Sequence, residues 1–296
     1  MPAPSIRSRA GAPPLGLAVA LVLVGIASVQ LGAGVAKTLF DEVEPTAIVW
    51  LRLATSSLVL VALARPRLRG RTREEWLTVL AFGASLGVMN WAIYQSFSRI
   101  PIGVAVTFEF VGPLTLAALG FSRRRDLAWV ALAGVGVVLL GAERSGLDPL
   151  GVGFALLAGA AWASYILLSA RTGRQWPGLD GLAVASVVAL VVVTPGLVGV
   201  DAGGLADTRI LLLGAAVGLL SSVVPYSAEL VALRRLPAAT FGVLMSLEPA
   251  AAALVGLLVV GETLAPAQWL AIGCVVAASI GATRAAGPRQ AAPAPD

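Results

Sequence analysis

Histidine is absent from the 296 residues, and cysteine occurs once, at Cys274. The first absence removes Ser-His and Cys-His catalysis, zincin motifs and most zinc sites in one step. The second rules out an intramolecular disulfide. The apolar run Ala271-Ile272-Gly273-Cys274-Val275 reads Cys274 as a buried structural thiol. Charge is scarce as well: Asp, Glu, Lys and Arg make up 12% of the chain, about half the roughly 25% of a soluble globular domain. Hydrophobic residues make up 58%, with 33 glycines besides, and the mean hydropathy is +0.89. A water-soluble body of this size needs polar side chains over most of its surface, so the composition argues against a soluble enzyme. The net charge of +5 would ordinarily raise the question of nucleic acid. An apolar body has nowhere to display a broad basic face, so the positions of the charges matter more than their sum.

A transmembrane helix needs about 20 mostly apolar residues. Such runs lie near 14–36, 45–64, 76–97, 101–121, 126–142, 149–170, 179–199, 209–231, 237–260 and 265–283, the fifth being short. Ten spans leave only short connectors. Arg7 and Arg9 ahead of the first run could mimic a secretion signal. Because further apolar segments follow at once, the run is expected to be a retained first helix. The fold class expected is therefore an all-α polytopic membrane protein.

Connector charge sets the expected orientation, with Lys and Arg on the cytoplasmic side. Alternate connectors hold Arg7, Arg9, Arg65, Arg67, Arg69, Arg71, Arg73, Arg123, Arg124, Arg125, Arg171, Arg174, Arg234, Arg235, Arg284 and Arg289, which is 16 basic residues. The opposite connectors hold four: Lys37, Arg99, Arg144 and Arg209. Both termini are expected on the cytoplasmic side of a bacterial-type inner membrane.

The two halves resemble each other at an offset of 136 residues. Arg99-Ile100-Pro101 recurs as Arg235-Leu236-Pro237, Pro113 as Pro249, Ser85 as Ser221 and Ser28 as Ser164; Asn90 aligns with Tyr226, and Asp126 with Glu262. Each unit has five spans, an odd number, so the second enters the membrane inverted. This divides the chain into a cytoplasmic tail at 1–13, five-helix units at 14–143 and 149–284, and a second cytoplasmic tail at 285–296. Inverted repeats are the architecture of secondary transporters that alternate between two states.

Four charged residues fall inside the expected spans away from their first two and last two positions: Arg52, Glu109, Glu229 and Glu248. Each costs about 2.5–3.5 kcal/mol or more at the membrane centre, so such residues mostly face a cavity and act there. At about 1.5 Å per residue, Arg52 and Glu109 lie roughly 12 Å deep and Glu248 roughly 16 Å deep, in a core about 30 Å thick. These three converge near the midplane. One reading pairs Arg52 with Glu109 or Glu248 as a structural lock. The other has Arg52, Glu109 and Glu248 hold the charged ends of a substrate, with Glu109 or Glu248 carrying a proton, because low dielectric disfavours a carboxylate left without a partner. Glu229 lies near the end of its span, where it could equally reach the surface.

Helix breakers mark the same region. Pro113 and Pro249 sit at equivalent positions of the two units, each just after a glutamate, and Pro225 precedes Tyr226. A proline inside a span frees a carbonyl and kinks the helix, and carbonyls freed beside a cavity can bind ammonium groups or waters. Asn90, Tyr94, Gln95 and Ser96 on the third span, and Tyr226 on the eighth, add hydrogen-bonding groups. Of these, Asn90, Tyr94 and Tyr226 are the substrate-binding candidates alongside the charged three. Gly83–Gly87 and Gly214–Gly218 are small-xxx-small motifs for close helix packing. Trp76, Trp129 and Trp269 fall near span ends, where anchoring suffices.

Several stretches carry a family likeness: Ala27–Lys37, Leu51–Ala54, Phe108–Leu114 with Ser122-Arg123-Arg124, Pro225–Glu229, Thr240–Ala250 and Gly261–Leu264. With these the chain resembles the EamA-repeat, ten-span exporters of the drug/metabolite transporter superfamily over nearly its whole length. The resemblance implies efflux of small amino acids, homoserine and threonine first, driven by proton exchange. Arg52 would take the substrate carboxylate and a glutamate its ammonium. No cofactor and no metal are expected. The expected partners are the amino acid, protons and membrane lipid, without nucleic acid, and a homodimer stays open beside a monomer. Two other classes stay open: a drug or metabolite effluxer of the same fold, which the 6% aromatic content supports only modestly, and an intramembrane enzyme. The enzyme reading is the weaker, since Ser221 and Ser222 have no histidine to activate them and no lysine lies in a span.

Overall fold

The computed structural model describes residues 15–119, 127–141, 147–198, 200, 207–232, 236 and 238–285. Among these residues the chain forms helices and no strand. Eight helical stretches are long and apolar enough to cross a membrane, and two shorter apolar ones, Ile102–Leu116 and Leu127–Leu139, complete the set. The expected spans thus reappear as thirteen helices, three of the spans being broken.

The first three spans are continuous: α1 (Leu15–Lys37), α2 (Pro45–Ala64) and α3 (Arg73–Phe97). Pro45 starts α2, where a missing N–H costs nothing, and Arg65 ends it in the left-handed region at φ 48°. Helix α3 begins before its apolar run because Thr72 and Glu75 form a capping box. The Glu75 amide donates to Thr72 Oγ1 at 3.2 Å and the Thr72 amide donates to Glu75 Oε2 at 2.7 Å. The fourth span breaks into α4 (Ile102–Glu109) and α5 (Val111–Ala118), and α6 (Leu127–Gly141) is the fifth.

Helix α7 (Pro149–Gln175) outlasts its apolar run by a turn carrying Arg171 and Arg174, and α8 (Asp180–Val193) follows. The eighth span passes from α9 (Thr208–Gly218) through a π-helical stretch, Leu219–Val223, into α10 (Val224–Ala232). The ninth breaks into α11 (Ala238–Met245) and α12 (Glu248–Val255), and a second π-helical stretch, Gly256–Val260, ends at Gly261 with φ 78°. Helix α13 (Pro266–Ala285) is the tenth. Each candidate kink residue starts a second piece: Pro113 stands in the first turn of α5, Pro225 is second in α10 and Pro249 second in α12.

Span three packs on spans six and seven, and span eight on spans one and two. Span four lies on span six, and span nine on span one, while two and seven, four and nine, and five and ten pair with each other. Exchanging each span for the one five places along leaves these principal contacts unchanged. Small residues allow the closest of them. A Cβ at Gly87 would stand 2.9 Å from the Ala189 carbonyl of α8, and one at Gly218 would stand 2.9 Å from the Arg52 carbonyl of α2. Trp129, expected as an interface anchor, instead lays its ring against Gly281 of α13.

The two ends of the bundle differ in charge. At the basic end, Arg71 Nη1 donates to the Gln175 carbonyl at 3.1 Å, and Arg171 pairs with Glu74 at 2.6 Å. At the acidic end, Arg209 pairs with Glu42 at 2.7 Å and Lys37 with Glu262 at 2.6 Å. Asp126, the repeat partner expected for Glu262, lies outside the described residues, as do Arg7, Arg9, Arg123–Arg125, Glu143, Arg144, Arg234, Arg235 and Pro237.

Candidate functional site

Arg52 sits mid-way along α2 and is buried, at 7% exposure. Its Nη2 donates to the Ser221 carbonyl at 3.0 Å, and its Nη1 donates to Tyr94 Oη at 3.4 Å, with Cζ 5.5 Å from the Tyr94 ring centre. Its Nε has no partner among the described residues. Among the described residues, no carboxylate lies within ion-pair distance of it. The lock expected as one reading, Arg52 paired with Glu109 or Glu248, is therefore not what the structure holds.

The reason lies in Pro225. A residue at 225 would donate its amide to the carbonyl of residue 221 in an α-helix, or to that of residue 220 in the wider π register. Proline has no N–H, so it can serve neither. Both carbonyls receive side chains from the first half of the chain instead: Ser221 from Arg52, and Leu220 from Ser28 Oγ at 2.6 Å.

Arg52, Asn90, Tyr94, Glu109, Tyr226 and Glu248 all line one cavity of about 140 Å³, between spans one to four, six, eight and nine. Glu109 and Glu248 are buried, each at 8% exposure, and neither side chain has a hydrogen-bond donor among the described residues. Each stands at a break: Glu109 is the last residue of α4 and Glu248 the first of α12. Pro113 leaves the Glu109 carbonyl without its usual donor four residues on, and α7 closes on that carbonyl at Gly159. Asn90 donates Nδ2 to the Leu86 carbonyl at 2.8 Å, leaving Oδ1 unpaired among the described residues. Gln95 turns away and donates to Thr46 Oγ1 at 3.0 Å, and Ser96 is buried outside the cavity lining.

Sequence reasoning missed three polar lining residues, Gln30, Tyr165 and Ser221, and left Glu229 undecided. Rarity was the available signal. The chain has three tyrosines, and all three line this cavity. Gln30 is likewise a lone amide in an apolar helix, buried at 2% exposure with Oε1 unpartnered. One guanidinium thus faces three carboxylates, Glu109, Glu229 and Glu248, with phenols and amides between. Such a set has the donors and acceptors to hold a small molecule carrying both charges, and its carboxylates can take up and release protons.

The profile of the EamA-like transporter family matches residues 16–142 and again 149–284. Proteins named threonine/homoserine exporter RhtA, from Escherichia coli strain K12 and Salmonella typhimurium strain LT2, are 42% identical over 274 residues, covering 91% of this chain and 92% of theirs. A Bacillus subtilis protein named uncharacterized transporter YwfM is 28% identical over 218 residues, covering 69% of this chain and 72% of its own. A solved crystal structure shares the fold with a TM-score of 0.61 at 19% identity, over 92% of this chain and 99% of that one.

Proposed function

The chain belongs to the EamA-like transporter family, a multi-pass membrane protein, and we propose that it exports small amino acids, homoserine and threonine first, in exchange for protons. The observation that carries this is Arg52, held by Ser221 and Tyr94 rather than by a carboxylate, opposite Glu109 and Glu248 in one small cavity. Arg52 keeps donor capacity for a substrate carboxylate, and Glu109 or Glu248 takes the ammonium. With Arg52, Glu109 and Glu248 all ionised the carboxylates exceed the guanidinium by one, and a proton takes up that excess. The cavity, at about 140 Å³, is smaller than the roughly 300–1,000 Å³ of pockets that take drug-sized ligands. That fits an amino acid, while the neighbouring cavities of about 180 and 300 Å³ at Glu229 keep a larger metabolite as the second reading.

The two five-helix units, 14–143 and 149–284, alternate access by exchanging their packing. The contact pattern that survives exchange of the two sets of spans supports this. The basic end faces the cytoplasm of a bacterial inner membrane, with both termini there, as the arginine distribution supports.

Purified protein in proteoliposomes should move labelled homoserine and threonine faster when a proton gradient is imposed. Arg52→Ala and Glu248→Gln should each abolish that movement. Movement at the unsubstituted rate in both variants would overturn the site. No movement by the unsubstituted protein would overturn the substrate.

A further inference from the structure

Glu229 is the carboxylate that the central site does not need, and its surroundings give it a separate task. It stands on α10, towards the basic end from Tyr226. This one residue lines the central cavity and two further ones. One lies between α2, α8 and α10 and is lined by Leu60, Leu63, Leu179 and Leu182, with Tyr226 and Glu229. The other lies between α5, α7, α11 and α13, and Glu229 is again its sole charged lining residue. Among the described residues, the Glu229 carboxylate has no hydrogen-bond or ion-pair partner.

The leucine-lined cavity continues outward. Leu63 and Leu179 are shared with a cleft at the basic end, whose mouth carries Arg65, Arg67 and Asp180. The acidic end is tied across by polar contacts instead. There Lys37 Nζ reaches both Glu262 and the Ile100 carbonyl, at 2.6 and 2.8 Å, and the Ile102 amide donates to Glu262 Oε2 at 2.9 Å. Ordered from the basic end, the lining residues are charged groups at the mouth, then leucines, then one carboxylate, and then Arg52.

We propose that Glu229 is the inlet site for the substrate ammonium, selecting primary amines that approach from the basic end before Arg52 takes the carboxylate. A zwitterion crossing the leucines leaves water with both charges uncompensated, which is costly. One carboxylate shared by the linings of the cavities compensates the ammonium first. A solute without a free ammonium finds no such partner and is turned back there. Glu229 is thus a specificity-determining residue for uptake from one end, and it has no task for a substrate arriving at the other. The inference rests on the amino-acid reading above.

The test is transport of labelled homoserine in proteoliposomes, measured separately from each end. Glu229→Gln should raise KM from the basic end by about tenfold or more, the scale of one lost charge-assisted hydrogen bond. The maximum rate, and KM from the acidic end, should stay within about twofold. Glu229→Asp keeps the carboxylate and should restore most of the affinity. Ethanolamine, an amine without a carboxylate, should inhibit the unsubstituted protein from the basic end only, and N-acetylhomoserine from neither; this arm needs no variant to fold. An unchanged KM in Glu229→Gln, equal losses from both ends, or no inhibition by ethanolamine from the basic end would overturn the inlet role and leave the central site standing. If the unsubstituted protein does not move homoserine at all, the function proposed above falls and the inlet falls with it.

Discussion

Arg52 and Pro225 are joined through a carbonyl that neither owns. Pro225 cannot donate to Ser221, and Arg52 Nη2 donates there at 3.0 Å. A residue that looks like a defect in span eight is thereby what positions the buried guanidinium of span two. Ser28 does the same for the neighbouring Leu220 carbonyl, at 2.6 Å. The π-helical stretch at 219–223 is therefore a socket for side chains of the first half of the chain.

Pro225→Ala supplies the missing N–H, which then competes for the Ser221 or Leu220 carbonyl. Alanine is favoured over proline inside a helix by about 3 kcal/mol, so thermal stability should hold or rise. Homoserine transport should nevertheless fall by roughly tenfold or more, since a hydrogen bond to a charged group contributes about 1.5–3 kcal/mol. Parallel melting and transport assays check this. Stability and transport falling together would defeat the explanation.

Arg52→Lys keeps the charge but loses the fork. One ammonium cannot hold Ser221, Tyr94 and a substrate carboxylate in the geometry that a guanidinium provides. Export should drop by about tenfold or more, on the scale of 1.4 kcal/mol per decade. Near-normal export by the lysine variant would show that charge alone suffices.

The Lys37–Glu262 pair, with side chains 18% and 13% exposed, ties α1 to α4 and to the loop before α13. Glu262→Ala should loosen the acidic end. In a Cys274→Ser background, a cysteine introduced by Ile102→Cys, at a position with 0% exposure, should react with a membrane-impermeant maleimide applied from that end. The reaction should run roughly fivefold faster when Glu262 is also replaced, a shift of about 1 kcal/mol in the opening equilibrium. An unchanged labelling rate would show that the pair does not hold the end shut.

Gly159 and Gly153 lie on the same helix and should behave differently. A Cβ at Gly159 would stand 2.5 Å from the Glu109 carbonyl oxygen, whereas one at Gly153 meets nothing within 4 Å. Gly159→Ala must push α7 from the α4–α5 break, at about 1–3 kcal/mol for an overpacked site, and should lower both melting temperature and export. Gly153→Ala should stay within about 0.5 kcal/mol of the unsubstituted protein. Equal behaviour of the two in a thermal melt would refute the packing argument.

Some of the site was legible in sequence because it was rare. Arg52, Glu109 and Glu248 stood out as charges in apolar runs, and Pro113, Pro225 and Pro249 as breakers beside them. Tyr165 and Gln30 carry no charge, so only their rarity marked them, a weaker sign than a charge stranded in an apolar run. Glu229, five residues short of Arg234, was indistinguishable from a side chain reaching for the surface until it was found lining three cavities.

What the sequence determined by itself is the set of ten apolar stretches, the arginine asymmetry between their connectors, and the few polar groups stranded within them. These are properties of composition and spacing along one chain, and lipid leaves no other way to satisfy so long an apolar backbone. What only the tertiary structure decided is which face of each helix points inward. Spans that are apolar all round carry little amphipathic pattern to set their rotation. Small residues such as Gly87, Gly159 and Gly218, pressed against neighbouring main chain, set it instead. That rotation brings Arg52 to a carbonyl rather than a carboxylate, and gathers three tyrosines and three glutamates around one cavity.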